Sequence, residues 1–563
     1  MSRPDPLRRP RLRAPRRAAA LLLPFSLALP AGQALAQNAV RVLQPAAIYP
    51  DQTLPQTNPG AVAPSAGTTA ALGSGIVEAH FILSTVAVQG AAHMDPAALA
   101  ATWHGEVGRS VSTQDILAIA NRIATLYSKD GFALVSVQVP KQSFSGGVAR
   151  IDVTEGYVGA VTIEGNTKGA KLGLLKSYAA AIIADRPLRR PTLERYILLM
   201  NDIPGLKVGS SFEPIPGQPG VARLHLRILR SPVQGGLALT SQGINTLGGT
   251  QVMTNIAVNS LLQEGDQTQA TFGFPFQFSQ FQYYGLDHTF PIGHDGATLT
   301  VGGGYIVTHP TGPNPSGHAW TTSTRFAYPI IRQVHQSLIG TVSLDMLDSS
   351  EALLGQSLSD ERTRSLRLGA IYGVDDPWGG TTIVSATLSQ GLDIFGARRG
   401  SVAFGGPDYT KISGRLQRSQ KLPLDFVLRG KLAFQYTDQH LPDSEQFLFG
   451  GPDFGQAFDY AYLSGDRGVA AAIELAHPIP VALTTRYFAG SELFGYVDWG
   501  EVHNLRTAYE LPYEHAASAG GGVRIKILHA VTLELAVATV LDQPAQFGKT
   551  QSPRFLFGFS GSF

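Results

Sequence analysis

Cysteine is absent from all 563 residues, which removes disulfide frameworks, thiolate metal sites and cysteine nucleophiles together. Charge is scarce as well. Asp, Glu, Lys and Arg make up 15% of the chain, where about a quarter is usual in soluble domains. Long apolar runs are missing beyond the N-terminal region. A membrane helix needs roughly 20 apolar residues in a row. The longest candidate, Val469 to Leu483, is interrupted by Glu474, His477, Pro478 and Pro480. If this chain spans a membrane it must do so as a closed barrel, the alternative that satisfies every backbone group in lipid. Catalytic signatures are lacking too: there is no P-loop, no G-x-S-x-G, no H-E-x-x-H and no paired-Cys motif. The 14 His are scattered, and His309, His318 and His335 read as structural residues of strands or loops. Asp345, Asp348 and Asp375-Asp376 read as strand-end acids rather than a cation site, and Gly302-Gly303-Gly304 as a strand glycine cluster. No enzyme activity, no metal and no cofactor is expected.

What is present begins with an N-terminal signal. Residues 1–36 carry seven Arg and a single acid, Asp5, followed by the apolar run Ala18 to Leu29 and by Ala34-Leu35-Ala36 before Gln37. That order predicts a secretory signal peptide. Arg8-Arg9 and Arg16-Arg17 lack the flanking residues of a twin-arginine signal, so the general secretory route is favoured. Setting that segment aside leaves 37 of 44 basic and 41 of 42 acidic residues, a mature chain near −4. A nucleic-acid partner loses its support.

Three regions follow. Residues 37–75, rich in Pro, Ala, Gly, Thr and Gln, read as a flexible linker with no clear amphipathic helix. Residues 76–156 and 157–230 read as two similar α+β units. In the first, Phe81 to Val88 reads as a strand, Ser112 caps a helix with Ile116, Ile119, Ala120, Ile123 and Tyr127 on one face, and Gly131 ends it. Strands Phe132 to Val139 and Val148 to Val153 complete that unit. In the second, Val158 to Glu164 is a strand, Lys171 to Ala184 and Thr192 to Asp202 are helices, and Lys207 to Ile215 and Ala222 to Leu229 are strands. A β-α-α-β-β order used twice is an internal repeat.

Residues 231–563 consist of short alternating segments separated by Gly, Pro, Asp and Asn. In Val427 to Thr437, Leu428, Leu432, Phe434 and Tyr436 face one way and Arg429, Lys431, Gln435 and Thr437 the other. A wet lumen allows that charged face. The segments number about 16, the even count of bacterial barrels. They start near residues 235, 250, 266, 279, 297, 317, 333, 363, 380, 408, 424, 466, 486, 515, 529 and 553. The last places Phe555, Phe557, Phe559 and the terminal Phe563 on one face, like the signal read by the outer-membrane assembly machinery.

Tyr127, Gly131-Phe132, Pro140, Gln142 and Glu155-Gly156 fall into the patterns Y-x(3)-G-[YF], P-x-Q and E-G, and with the motifs that follow in order they resemble the hemolysin secretion/activation family of two-partner secretion transporters, whose barrel follows periplasmic POTRA domains. Arg186-Pro187-Leu188, Leu193-Glu194-Arg195 and Asn201-Asp202-Ile203-Pro204-Gly205 resemble its second soluble unit. Leu463-Ser464-Gly465-Asp466-Arg467-Gly468 matches L-S-G-D-R-G, the strongest single motif, and Phe494, Asp498 and Gly500 resemble F-x-D-x-G. Leu261 through Asp266 resembles N-P-L-G-x-G-D, with Ser260 and Glu264 as departures. The family's V-R-G-[YF] loop is altered: in Gly455-Gln456-Ala457-Phe458-Asp459, Gln456 stands where the resemblance puts Arg, and Phe458 is retained. In relatives that Arg pairs with the residue matching Asp498, so here a loop ion pair gives way to at most a neutral contact, unless Arg467 supplies the charge.

The resemblance implies two POTRA domains and a transmembrane barrel over 231–563, with an inserted loop near 450–465. It implies an outer-membrane pore, its POTRA domains in the periplasm, that captures an unfolded partner exoprotein and secretes it. The expected partners are that exoprotein, outer-membrane lipid and the assembly machinery, with the protein acting as a monomer. Arg367, Arg415, Arg429, Lys431, Arg524 and Lys526 are expected to face the lumen, either as a positive lining for the passing chain or as braces for the inserted loop. An assembly insertase and a passive porin are the alternatives.

Overall fold

The computed structural model describes residues 69–72, 78–166, 171–312, 315–480, 486–505, 511–528, 530–545 and 552–562. The expected signal peptide, most of the expected linker and Phe563 lie outside these.

The first α+β unit contains β1 (Thr69–Leu72), β2 (His80–Ile82), β3 (Thr85–Gln89), α1 (Pro96–Ala101), β4 (Ser110–Ser112), α2 (Thr113–Lys129), β5 (Val135–Val139) and β6 (Val148–Glu155). Its main sheet has the order β1-β5-β6-β3. Ser112 and Asp115 form a reciprocal capping box at the start of α2. Asp115 is held below the usual carboxylate range, chiefly by the Ser112 amide and then by its hydroxyl. The buried face of α2, with Ile116, Ile119, Ala120, Ile123 and Tyr127, packs on Val137, Val139, Ala149 and Ile151 of the sheet. Three positions of the sequence motifs here have structural duties. Glu155 accepts hydrogen bonds from the Tyr127 hydroxyl at 2.8 Å and the His93 amide at 3.0 Å. Burial raises its pKa, but the His93 and Tyr127 contacts win and keep it below the usual range. Gln142 donates to the Arg150 carbonyl at 2.8 Å and accepts from its amide at 2.7 Å, imitating a strand partner beside β6.

Two sequence expectations need correction here. Phe81 to Val88 is two strands, β2 and β3, parted where the buried Leu83 bonds back to Arg109. The stretch assigned to the linker is not wholly irregular, because its Thr69–Leu72 pairs in parallel with β5. A bare sheet edge accepts any extended chain through backbone groups, so composition gave no sign of it.

The second unit contains β7 (Tyr157–Gly165), α3 (Gly173–Ala184), α4 (Arg190–Asp202), β8 (Leu206–Pro214) and β9 (Val221–Arg230), with sheet order β7-β9-β8. Its core joins Leu175, Tyr178, Ile182, Ile197 and Met200 of the helices to Leu224, Leu226 and Ile228 of β9. Asn201 closes the turn out of α4: its amide group donates to the Ile197 and Val208 carbonyls, and its oxygen accepts from the Val208 amide.

The barrel is closed and antiparallel with 16 strands. They begin with β10 (Val233–Thr240), β11 (Gln251–Asn259), β12 (Gln267–Pro275), β13 (Phe281–Ile292), β14 (Ala297–Thr308) and β15 (Ser316–Arg332). Next come β16 (Gln336–Leu353), β17 (Gln356–Asp375), β18 (Gly380–Gly391), β19 (Thr410–Lys421) and β20 (Val427–Tyr436). A small hairpin, β21 (Phe447–Phe449) and β22 (Leu463–Gly465), interrupts the wall order. Then follow β23 (Arg467–Pro478), β24 (Glu492–His503), β25 (Tyr513–Ile527), β26 (Val531–Asp542) and β27 (Arg554–Ser562). Pairing of β10 with β27 closes the ring. Leu428, Leu432, Phe434 and Tyr436 are exposed on the outer face, as alternation predicted, and so are Phe555 and Phe557 of β27. Among the described residues no helix is long and apolar enough to cross a membrane.

The second unit docks against barrel turns. Glu264, in the turn between β11 and β12, accepts from the Leu174 and Leu175 amides at the N-terminus of α3, at 2.9 and 3.1 Å. Free amides at a helix start welcome a carboxylate, which gives the Glu264 departure a use. Asp202 meets Arg332 through two bonds of 2.7 and 2.8 Å. Arg195 reaches Asp295 and the Pro329 carbonyl at 3.1 and 2.8 Å. These contacts put the second unit on the side of the barrel that carries the short turns.

Candidate functional site

Residues 437–466 leave β20 on the opposite side of the barrel and fold back into its lumen. Three groups of contacts hold them. The first is the motif Asp466 itself, which is fully buried. It accepts from the Leu441 amide at 2.8 Å, the Leu505 amide at 2.9 Å and His440 Nδ1 at 2.9 Å. One carboxylate thus ties the outgoing limb of the loop, the returning limb and the next loop together. Arg467 donates to the Thr437 carbonyl at 2.5 Å and lies over the Tyr436 ring. It is committed to the foot of the loop and does not supply a charge to Asp498.

The second group is apolar. Phe447, Phe449, Phe454, Phe458 and Leu463 of the loop form a cluster with Ala433, Ala470, Val502 and Ala516 of the wall. Phe458 is fully buried and stacks on Tyr462 at 4.5 Å. The wall is small-residued where the loop is aromatic. A Cβ on Gly500 would stand 2.3 Å from the Phe449 ring, and one on Gly468 would stand 2.1 Å from the Phe447 ring. Two motif glycines are therefore the seats of loop phenylalanines. Ser464 and Gly465, also of the motif, are buried in β22, whose partner strand is β21.

The third group is ionic. Loop Glu445 is buried between Arg367 at 2.7 Å and Lys411 at 2.9 Å. Asp453 meets Arg415 at 2.8 Å and Lys431 at 3.8 Å. Asp459 meets Arg554 at 3.0 Å and accepts from Asn245 at 3.0 Å. Wall Glu361 reaches the other way, accepting from the Asp443 amide of the loop at 3.0 Å. The Glu445 pairs are buried; such pairs gain little over an apolar core but are costly to break on one side only, whereas Asp453 is more than half exposed and its pairs contribute less.

At the altered position, Asp498 accepts from the backbone amide of Gln456 at 3.3 Å and from the Ser518 hydroxyl at 2.6 Å. The contact is neutral, as the substitution implied, and the Gln456 donor is its main chain. Phe494 and Asp498 share a face of β24 with Glu492, Tyr496 and Gly500, all buried or nearly so.

Of the six basic residues expected in the lumen, Arg367, Arg415 and Lys431 touch the loop. Arg429 and Arg524 instead share Glu474 and Glu492, with Arg524 also on Glu534, all between 2.6 and 3.0 Å. Arg524 also lies over the Phe494 ring at 3.9 Å. Lys526 is exposed, and its backbone amide donates to Ser491. Five of the six are ion-paired, so the lining is not a bare positive surface. The sequence reading missed the acids. Arg429 lies directly across from Glu474 in the register, and Glu492 has the parity of Asp498, so both were recoverable from alternation. Glu445 and Asp453 sit in irregular chain, where no periodicity marks the lumen.

Comparison with known proteins agrees with this architecture. The family model for haemolysin secretion/activation protein ShlB/FhaC/HecB matches residues 227–525, and that for the POTRA domain, ShlB-type, matches residues 81–156. The heme/hemopexin transporter protein HuxB of Haemophilus influenzae is 21% identical over 455 residues, spanning 77% of this chain and 79% of that protein. The outer membrane transporter CdiB of Dickeya dadantii is 23% identical over 442 residues, spanning 74% and 75%. Among solved structures, CdiB from Escherichia coli superposes with a TM-score of 0.70 at 17% identity, covering 97% of this chain and 98% of that one. CdiB from Acinetobacter baumannii gives 0.59 at 16% identity, covering 95% and 99%. With the family model covering more than half of its length, the chain belongs to the haemolysin secretion/activation family, as an outer-membrane β-barrel transporter whose N-terminal POTRA region lies in the periplasm.

Proposed function

We propose that this protein secretes one unfolded partner exoprotein through its barrel, with both α+β units, 76–156 and 157–230, acting as POTRA domains that receive the chain in the periplasm. The observation that carries the reading is the loop 437–466, anchored inside a closed barrel, with the POTRA region docked at the other end. A passive porin has no need of a receiving unit on its turns. An assembly insertase usually carries more than two such units. In this reading the loop contacts of Arg367, Arg415 and Lys431 are braces, and Arg429, Arg524 and Lys526 belong to the part of the lumen that the loop leaves to the passing chain. The exported chain supplies the driving force by folding outside the cell, so no nucleotide or cofactor takes part. Assembly of the barrel through its C-terminal aromatic strand and action as a monomer complete the proposal.

The test is deletion of residues 80–230 in cells that also express a large exoprotein encoded beside this chain. Secretion should stop while a conducting barrel persists in the outer membrane. Secretion that survives the deletion places recognition in the barrel and its loops. A general fall in other outer-membrane proteins on loss of the whole protein supports the insertase instead.

A further inference from the structure

Aromatic side chains mark the height at which a barrel's lipid face meets water. At the end of the wall away from the docked unit, Tyr305 of β14 and Trp320 of β15 are register partners whose ring centroids lie 4.3 Å apart, and Trp320 is exposed on the outer face. The register carries that height across the wall, from Trp320 to Asp348 of β16 and on to Arg362 of β17. Strand β17 supplies the parity. Its Leu366 and Leu368 are exposed toward lipid, and alternation puts Arg364, Arg362 and Asp360 on the same face, just beyond them.

These charges are not fully spent on one another. Arg364 meets Asp348 at 2.6 Å, and Arg398, in the connection between β18 and β19, pairs with Asp360. The Arg362 guanidinium is 38% exposed and makes no hydrogen bond among the described residues; Asp360 and Asp348 stand 3.8 and 4.0 Å away, beyond hydrogen-bond reach. Three Arg thus face two Asp. Apolar surface adjoins them. Arg364 donates to the Phe395 carbonyl at 3.2 Å, and Phe395 and Ile394 are exposed, with Phe395 on left-handed backbone at φ 50. A large apolar side chain held out on strained backbone points to contact with something beyond the chain. An arginine fork matches phosphate oxygens, and at this height the outer leaflet presents phosphorylated sugars above acyl chains. We infer that this patch binds the phosphorylated glycolipid of the outer leaflet. Arg362 and Arg398 take a phosphate, Arg364 positions Phe395, and Phe395, Ile394 and Leu366 lie along the acyl chains. The site also bears on the inserted loop. The same connection offers the Ala403 carbonyl to His440 Nε2 at 2.7 Å and the Gly405 amide to the Leu441 carbonyl at 2.8 Å. A glycolipid seated on Arg362 and Arg398 steadies that connection and, through it, the foot of loop 437–466.

The test uses full-length protein in detergent, purified bisphosphorylated lipid A as the probe, and native mass spectrometry as the readout. The native protein should retain lipid A, and the dephosphorylated form should bind roughly tenfold more weakly, as loss of charge-assisted hydrogen bonds requires. The double variant R362Q/R398Q should show the same loss while still migrating faster on gels when unheated. Phe395→Gly suits the left-handed backbone and should weaken binding with both arginines in place. Lys421→Gln, at the opposite end of the wall, should bind like the native protein. Inorganic phosphate at the same concentration should not displace the lipid. Displacement by it would make a free anion the ligand and overturn the glycolipid site. No retention by the native protein, native-like binding by R362Q/R398Q or Phe395→Gly, or equal binding of the two lipid A forms also overturns the inference, and each leaves the secretion reading standing.

Discussion

The loop is held by residues of unequal worth, and the chemistry of each contact sets the ranking. Glu445 is buried between two cations. Glu445→Ala leaves Arg367 and Lys411 facing each other without their shared acid, at a cost of about 3–5 kcal/mol. Loop 437–466 should then become sensitive to proteinase K in intact outer membranes, and secretion should fall at least tenfold. Asp498 meets neutral donors, the Gln456 amide and the Ser518 hydroxyl among them. Asn retains an acceptor for both, so Asp498→Asn should change loop stability by no more than about 1 kcal/mol. Secretion should stay within twofold of native. A strong loss in Asp498→Asn would show that Asp498 acts by its charge, not by holding Gln456. Gln456 announced in the sequence that the family's ion pair was gone. Nothing announced that Glu445 and Asp453 carry the loop's charge contacts, because the cations they meet lie on distant strands.

Helix α4 joins the second α+β unit to the barrel turns through Arg195, Asp202 and their partners. The Arg332 side chain is 1% exposed, whereas Asp202 is 24% exposed. Removing the acid alone therefore strands a buried guanidinium, at roughly 3 kcal/mol. Removing both members costs less, because no charge is left unpaired. Asp202→Ala should speed hydrogen–deuterium exchange in Arg190–Asp202, and adding Arg332→Met should bring it part of the way back. Faster exchange in the double variant than in Asp202→Ala would mean that Arg332 has another anchor. The strands themselves were mostly legible. Expected starts near 297 and 380 coincide with β14 and β18, and most others fall within a few residues. The two largest misses have physical causes. β17 begins at Gln356, not near 363, because Gln356–Arg362 continues a long hairpin with β16 and lacks the apolar alternation that lipid contact imposes. β24 begins at Glu492, not near 486, because residues 486–488 form a helical turn whose Tyr487 and Phe488 mimic a strand's aromatics.

The whole molecule is a ring whose stability is shared among its strands. Closure leaves no free edge in the wall, so opening any part exposes backbone groups to lipid that cannot satisfy them. The protein should therefore fractionate with the outer membrane and migrate faster on gels when unheated, as a compact detergent-resistant barrel, and slower after boiling. Identical mobility in both lanes together with a soluble fraction would contradict the closed barrel. Among the described residues the seam is the shortest pairing in the ring: β10 and β27 register from Gly236↔Ser562 to Thr240↔Gly558. Heating series should show loss of compact migration in one step, since the seam is one part of a cooperative wall.

Alternation of apolar and polar side chains requires only neighbours along one strand, so it wrote the barrel, its strand number and its lipid face directly into the sequence. The β-α-α-β-β order of residues 157–230 and the Ser112 cap were local in the same sense. Family motifs marked Gly468, Gly500 and Asp466, but their reasons are contacts across the lumen: ring against glycine, and one carboxylate holding two loops. The tertiary structure alone decided which acids meet the lumen cations, where the second α+β unit docks, and that Thr69–Leu72 becomes a strand. Each of these joins residues far apart in the chain, through charge or backbone pairing that imposes no period, and only closure of the barrel and packing of the sheets bring them within reach.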